Sequence, residues 1–391
     1  MKRFDATILV CTGLLTALGM LVIYSTGGTG YLVRQLAFLP VAVLGLVAGY
    51  FVPRRVLYGL AGYAYGATIV LLVAVLFLGR GGDARRWFML GQLAFQPSEF
   101  AKLATIVLLA RHLSGVRSLR FDLRSLFWPV VIVVAPALLI LAEPDLSTAL
   151  LLGAILAAML YWQGLRPLQL LALYTPLISF AAGFSLYTWI PFFLFLGTIM
   201  LVRTNLVRAL IALAVGSFFG LSSPVLLSLL KEYQRARIRS FLAPWLDPHG
   251  VGWNAIQSRI AIGSGRLTGK GFLHGTQNRL GFLPNRHTDF VFSCIGEEFG
   301  FVGSAAVLGL FGLLVYRFLV AARFERDRFA SLLAVGCAAI FGFQAFVNIG
   351  MLLGLLPVTG VTLPFISYGG SSLLLSYGIV GLMLNVAAKR E

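Results

Sequence analysis

Apolar runs long enough for a helix to cross a bilayer, roughly 20 residues, follow one another along almost the whole chain. They lie at 6–25, 32–52, 56–79, 97–114, 127–142, 146–164, 168–188, 207–230, 290–320, 329–356 and 367–387. A shorter run, 190–202, fills the interval at Pro191 and brings the expected number of crossings to about twelve. In hydrocarbon every backbone N–H and C=O must be paired within the protein, so consecutive runs of this kind read as helices. The expected fold is therefore an all-α polytopic membrane protein. With 59% of the 391 residues hydrophobic and only 12% charged, nothing is left over for a soluble second domain, and 1–391 reads as a single membrane domain. No small-residue cleavage site follows the first run, which is expected to be a retained span and not a removable signal peptide.

Lys and Arg in the short loops set the orientation. Lys2, Arg3, Arg54, Arg55, Arg111, Arg166, Arg203, Arg317, Arg326, Arg328, Lys389 and Arg390 fall on one side, whereas the short loops of the other hold Arg34, Arg80, Arg85 and Arg86. Both termini are thus expected in the cytoplasm, and the longest connection, 231–289, on the outer face. That loop carries many Arg and Lys residues against few acids, together with recurring apolar residues and glycines, so it is expected to pack on the bundle, and its basic residues form either an anion-binding surface or a solvated basic loop. The net charge of +17 has no basic soluble domain to carry a nucleic-acid site, so anionic lipid headgroups and a phosphate-bearing substrate are the expected partners, with no nucleic acid. Cys11, Cys294 and Cys337 all sit in apolar runs, where no structural disulfide is expected. The four histidines show no metal-ligand spacing, so a metal would be held by carboxylates and substrate phosphate.

Fourteen acidic residues make elimination practical. Asp289 ends Pro284-Asn285-Arg286-His287-Thr288-Asp289 where the outer loop enters an apolar run; it suits a general base half out of water, and equally a helix N-cap. Glu99 and Lys102, in Gln96-Pro97-Ser98-Glu99-Phe100-Ala101-Lys102, lie three apart on one helix face, so they form either a structural ion pair or part of a polar cavity. Arg85 and Arg86 beside Trp87 stand on the side that positive charge otherwise avoids; they either grip phosphate or snorkel to headgroups. Asp145, after Glu143-Pro144, reads as the cap of the next helix. The stretch Gly263-Ser264-Gly265-Arg266-Leu267-Thr268-Gly269-Lys270-Gly271 fails as a nucleotide-binding P-loop, because no strand precedes it and Gly271 replaces the Ser/Thr; its amides with Arg266 and Lys270 remain candidates to cradle a pyrophosphate. Ser367 and Ser371, in Ser367-Tyr368-Gly369-Gly370-Ser371-Ser372, read as small residues for close helix packing.

Taken together, Arg85-Arg86-Trp87, Gln96-Pro97-Ser98-Glu99 with Lys102, Pro144-Asp145-Leu146, Gln257-Ser258-Arg259 through Gly265, Gly275-Thr276-Gln277, His287-Thr288-Asp289-Phe290 and Ile366 through Ser372 resemble the SEDS family (shape, elongation, division and sporulation). Gly269-Lys270-Gly271 and Gly275-Thr276-Gln277 point to its rod-shape branch, RodA. The resemblance spans almost the whole chain in family order. It implies a peptidoglycan glycosyltransferase that polymerises lipid II outside the bacterial cytoplasmic membrane during cell elongation, with a class B penicillin-binding protein as transpeptidase partner. It implies Asp289 as the essential aspartate and Glu99 with Lys102 as a cavity ion pair. Arg259, Gln277, Arg286 and His287 join the expected substrate cavity by position in its motifs. Three residues depart from the pattern: Asn285 stands for the usual Glu, Glu143 for Gln and Ser147 for Gly. The family core has ten spans, so the length of 168–230 implies an extra helical hairpin.

The implied reaction is an inverting glycosyl transfer with Asp289 as base, with or without a divalent cation (Mg or Mn) on the departing pyrophosphate. A flippase or transporter of the lipid-linked precursor remains the alternative, since buried charge in a many-helix bundle suits transport as well. The clustering of candidate charges at the outer end favours the enzyme. A structural scaffold for the partner synthase would leave those charges without a task.

Overall fold

A computed structural model describes residues 5–79, 86–90, 93–116, 119–229, 235, 252–283 and 285–388. The chain folds in the order α1 (Ala6–Phe51), α2 (Arg54–Leu78), β1 (Phe88–Leu90), β2 (Leu93–Phe95), α3 (Pro97–Ser114), α4 (Leu123–Ala142), α5 (Leu146–Trp162), α6 (Pro167–Ala182), α7 (Leu186–Arg203), α8 (Leu206–Leu229), α9 (Trp253–Ser264), α10 (Thr276–Arg279), α11 (Val291–Phe324), α12 (Arg328–Leu352) and α13 (Gly370–Ala387). Among the described residues seven helices are long and apolar enough to span a bilayer, with three shorter apolar helices beside them. The expected all-α polytopic architecture is what forms. The one exception is the short antiparallel hairpin β1–β2, pairing Phe88 with Phe95, which hydropathy did not signal.

Two glycines convert helix count into crossing count. The 46 residues of α1 would measure about 69 Å at 1.5 Å per residue, over twice the hydrocarbon thickness. At Gly28 the backbone turns left-handed (φ 72°) and the chain doubles back. Asp5, before the first arm, pairs with Arg317, and Arg54, after the second, pairs with Glu325, so both arms meet α11 near its C-terminal end. Ser25, near the turn, instead donates to Glu298 at the other end of α11. The two arms embrace α13: Tyr377 donates to Thr16 on one, and Asn385 to the Tyr50 carbonyl on the other.

Gly300 (φ 65°) breaks α11 in the same way, so the apolar run expected as one span at 290–320 is a buried leading piece, 291–299, followed by a crossing, 301–324. A broken helix inside the membrane strands backbone groups that lipid cannot satisfy. The glycine-rich loop supplies them: Phe301 and Val302 N–H donate to the carbonyls of Arg266 and Leu267 (2.9 and 3.1 Å), and Lys270 and Gly271 N–H donate to those of Glu297 and Glu298 (both 3.0 Å). Such contact brings two backbones together where a side chain would intrude. A Cβ on Gly265, Gly269 or Gly300 would collide with the opposing main chain. These amides therefore close the break in α11, and the expected backbone cradle for a pyrophosphate is not formed by Lys270 and Gly271.

The region 168–230 forms three helices, α6–α8, as its length implied. They share a small core of Leu196, Met200, Ala209 and Ala212, separate from the main one, and Tyr174 ties α6 to the Gly153 carbonyl of α5 at 2.6 Å. The main core surrounds α3 and α12, the latter with apolar residues buried on all sides from Phe329 to Leu352.

Gly300→Ala tests the break. The left-handed backbone alone costs an alanine about 1–2 kcal/mol, and the collision with the Gly269 main chain adds to it. The purified variant is expected to unfold at lower temperature than the wild type by tryptophan fluorescence, whereas Gly309→Ala, with open space around its Cβ, should match the wild type.

Candidate active site

The N-terminus of α3 carries the first charged pair. Pro97 begins the helix, where its missing N–H costs nothing, and Glu99 and Lys102 one turn in place their side chains together at 2.7 Å. Lys102 is 1% exposed, among the largest side chains buried outright in the fold. Both expected readings hold at once, because the ion pair is buried and Glu99 also lines a cleft. The cleft is bounded by α3, by Asp145, Ser147 and Thr148 at the start of α5, by Phe343 and Gln344 of α12, and by the 360–362 segment. Its volume is about 50 Å³, room for a few water molecules. A disaccharide needs it wider.

Asp145 caps α5 as expected, accepting from the Thr148 N–H (3.1 Å) and hydroxyl (2.9 Å). Ser147, one of the departures from the family pattern, donates to the Thr359 carbonyl at 2.7 Å and so joins the α5 turn to the opposite wall. Arg86 donates to the carbonyls of Glu143 (2.8 Å) and Pro144. Its guanidinium thus braces the 143–145 turn. Trp87 is half-buried beside it, and Arg85 lies outside the described residues.

Asp289 approaches the cleft from the other side. It is half-buried, and its Oδ2 is the nearest atom to where a Cβ of Gly360 would sit, at 3.3 Å. Gly360 lines the cleft with φ 77°, so the absence of a side chain there leaves the carboxylate beside the opening. α11 begins two residues later, at Val291, with Phe290 at the N-cap position. The main chain of Asp289 is held from behind. Asn348 donates to the carbonyls of Asp289 (3.0 Å) and Val361 (2.6 Å), and Ser367 donates to that of Thr288 (2.6 Å) while accepting from the Leu363 N–H (2.8 Å). The Tyr368 N–H donates to the His287 carbonyl at 2.9 Å, and the His287 ring packs on Tyr31 at 4.3 Å. Burial first, then Arg286, push the His287 imidazole below its usual pKa, which keeps it neutral at pH 7. Gln35, from the second arm of α1, accepts from the Gly369 N–H at 3.2 Å and completes the support.

Other expected cavity residues are engaged elsewhere. Lys270 pairs with the fully buried Glu297 at 2.7 Å, which also accepts from Thr276 and from the N–H groups of Gln277 and Asn278 at the start of α10. Arg286 donates to the Asn278 carbonyl. Lys270 and Arg286 thus brace the outer loop, one through a buried carboxylate and the other through a carbonyl of α10, and Gln277 does so through its main-chain N–H. Arg259 is exposed and packs along Gly354, away from the cleft lining, and Ser371 is buried in the first turn of α13, consistent with packing. Sequence reading passed over Asn348, Gln344 and Gln35. The available signal was three amide side chains inside apolar runs, with Gln344 and Asn348 four apart on one helix face.

Among the described residues no three His, Cys, Asp or Glu gather as metal ligands. A family model described as cell cycle protein, FtsW/RodA/SpoVE, matches residues 5–190 and 186–391. The chain belongs to that family. It is 36% identical to the peptidoglycan glycosyltransferase MrdB of Escherichia coli K12, over all of this chain and 95% of the relative. It is 34% identical to stage V sporulation protein E of Bacillus subtilis, over 98% and 96%. Among solved structures, it matches a chain from "Structural coordination of polymerization and crosslinking by a peptidoglycan synthase complex" with TM-score 0.75 and 32% identity over 98% of both chains. It matches the rod shape determining protein RodA of Thermus thermophilus with TM-score 0.65 and 29% identity, over 98% and 97%.

Two predictions follow from the charges around the cleft. In Lys102→Ala the Glu99 carboxylate stays buried without its partner, at a cost of about 3–5 kcal/mol, and the variant is expected to show a lowered unfolding temperature. Glu143, in the turn after α4, has both carboxyl oxygens buried without a partner; burial, then the Asp145 charge, push its pKa up to about 8, against the pull of Arg86. The folded state therefore binds a proton that the unfolded state has released, and this contribution is full below about pH 4.5 and lost as pH rises to about 8. Wild-type thermal stability should fall between pH 5 and about pH 8, and Glu143→Gln should flatten the profile.

Proposed function

We propose that this family member is a peptidoglycan glycosyltransferase of the RodA type, polymerising lipid II into glycan strands on the outer face of the bacterial cytoplasmic membrane with Asp289 as general base. The observation that carries the reading is the setting of Asp289: a half-buried carboxylate beside Gly360 at the edge of a polar cleft, on main chain held by Asn348 and Ser367. The cleft lies where α3 begins, at the opposite end of the bundle from Arg54, Arg326 and Arg328. Positive charge concentrated on that other side supports cytoplasmic termini and an outward-facing site.

In the proposed step an Asp289 oxygen takes the proton from the acceptor sugar hydroxyl as the hydroxyl oxygen bonds to the anomeric carbon of a second lipid-linked sugar. The bond from the anomeric carbon to the pyrophosphate oxygen breaks, the configuration inverts, and the lipid pyrophosphate leaves with the bonding pair. Asp289 afterwards returns its proton to water. The narrow cleft must widen to admit the sugars, and the lipid tails, confined to the membrane, provide much of the orientation. A divalent cation, where one takes part, would arrive on the pyrophosphate. Cross-linking of the product is assigned to a class B penicillin-binding protein; a related chain solved in a peptidoglycan synthase complex supports that pairing.

With purified protein and labelled lipid II, Asp289→Asn is expected to lower polymer formation by about 10²–10⁴-fold while the unfolding temperature stays at the wild-type value. Undiminished polymer length on a gel would remove Asp289 from the reaction. In liposomes, exposure of labelled precursor without lengthening would instead identify a flippase.

A further inference from the structure

At the end of the bundle opposite Asp289, where α2 and α12 begin and α3 ends, lies a recess of about 520 Å³ that the polymerisation reaction does not use. Four arginines line it: Arg54, Arg55, Arg326 and Arg328. Arg54 is committed to the fold, paired with Glu325 at 2.8 Å and donating to the Asn385 carbonyl at 3.3 Å. The acid of the recess, Asp327, caps α12 by accepting from the Phe329 N–H at 3.1 Å. Arg55, Arg326 and Arg328 are exposed and have no salt-bridge partner among the described residues. Three guanidinium groups thus line one hollow whose single acid, Asp327, makes no salt bridge to them among the described residues.

The floor of the hollow is aromatic and rigid. Tyr58 stands edge-on to Phe329 at 5.3 Å and carries the Arg111 guanidinium over its ring at 5.0 Å. On the face of α2 that carries Arg55 and Tyr58, exposed Gly62 and Gly66 lead toward the membrane centre and to exposed Val73 and Phe77, at helical spacing. A cationic mouth joined to an apolar lane fits a molecule with a phosphate at one end and hydrocarbon at the other. Basic pockets between helices at the cytoplasmic surface are suited to such headgroups, and guanidinium forks bind phosphate oxygens in pairs.

We propose that this recess is a binding site for an anionic glycerophospholipid, its phosphate held by Arg55, Arg326 and Arg328 and its acyl chains laid along α2. A soluble phosphate compound would use the arginines but gain nothing from the lane. The site stands apart from the glycosyl-transfer cleft and does not depend on that assignment.

The test uses the full-length protein, purified and delipidated, with phosphatidylglycerol and phosphatidylcholine as probes and native mass spectrometry to count bound lipid. Wild type is expected to retain phosphatidylglycerol roughly tenfold or more better than phosphatidylcholine, and added salt should erode the preference. Arg55→Gln/Arg326→Gln/Arg328→Gln should lose the preference while remaining monodisperse, since none of the three holds another element in place. Arg166→Gln/Arg203→Gln/Arg323→Gln removes the same charge from exposed positions outside the recess and should retain it. An unchanged preference in the first triple variant, or an equal loss in the second, overturns the site. Displacement of the lipid by sn-glycerol 3-phosphate at equal concentration overturns the lipid assignment.

Discussion

The fold depends on how a membrane protein satisfies backbone that is not helical. α11 breaks at Gly300, and lipid has no hydrogen bonds to give to the groups the break exposes. The 266–271 segment answers with four main-chain hydrogen bonds, two to each side of the break. Because these bonds are backbone to backbone, they require glycine where the chains approach and leave the outer loop fixed to the bundle. The buried network of Glu297, Glu298, Lys270, Asn278 and Ser25 reinforces the same junction and extends it to the first arm of α1. The break thereby fixes the direction of the leading piece of α11, and Asp289 lies two residues before that piece.

Charge in the interior is arranged by a second constraint, the cost of burying an ion without a partner. Lys102 meets Glu99 within one turn of the same helix, so their pairing does not depend on distant packing. Asp145 is satisfied by the first turn of the helix it caps. Glu143 has no such partner and sits buried beside Asp145, where its neutral form is favoured. The cleft therefore combines a locked ion pair and a capped carboxylate, and Asp289 stands beside its Gly360 on a segment supported by side chains of α12 and the 363–369 turn.

Much of this was legible in advance because hydrocarbon restricts the choices. The runs near 32–52 and 56–79 fall within helices long and apolar enough to cross the bilayer, the run at 97–114 became the helix α3, and the region 168–230 became three helices. The Glu99–Lys102 pair followed from a spacing of three in a helix, and the Asp145 cap from an acid placed before an apolar run. The loop was harder. Lys270 and Arg286 read as phosphate ligands because a sequence displays a charge without its partner; Glu297 and the Asn278 carbonyl reach them only after the loop has packed on α11. Asn348 and Gln35 escaped notice because a lone amide in an apolar run has no local consequence until another element arrives to accept its hydrogen bond.

Sequence alone determined the all-α membrane class, the side on which positive charge collects, and the short-range pairings that helical periodicity dictates. These are properties of single segments in a solvent that allows one backbone solution. Tertiary structure decided that Asp289 stands beside Gly360 of the cleft shared by α3, α5 and α12, that the glycine-rich loop closes a helix break, and that three arginines at the opposite end have no salt-bridge partner among the described residues. Each of these joins groups from segments far apart in the chain, and only the packed bundle sets the distances between them.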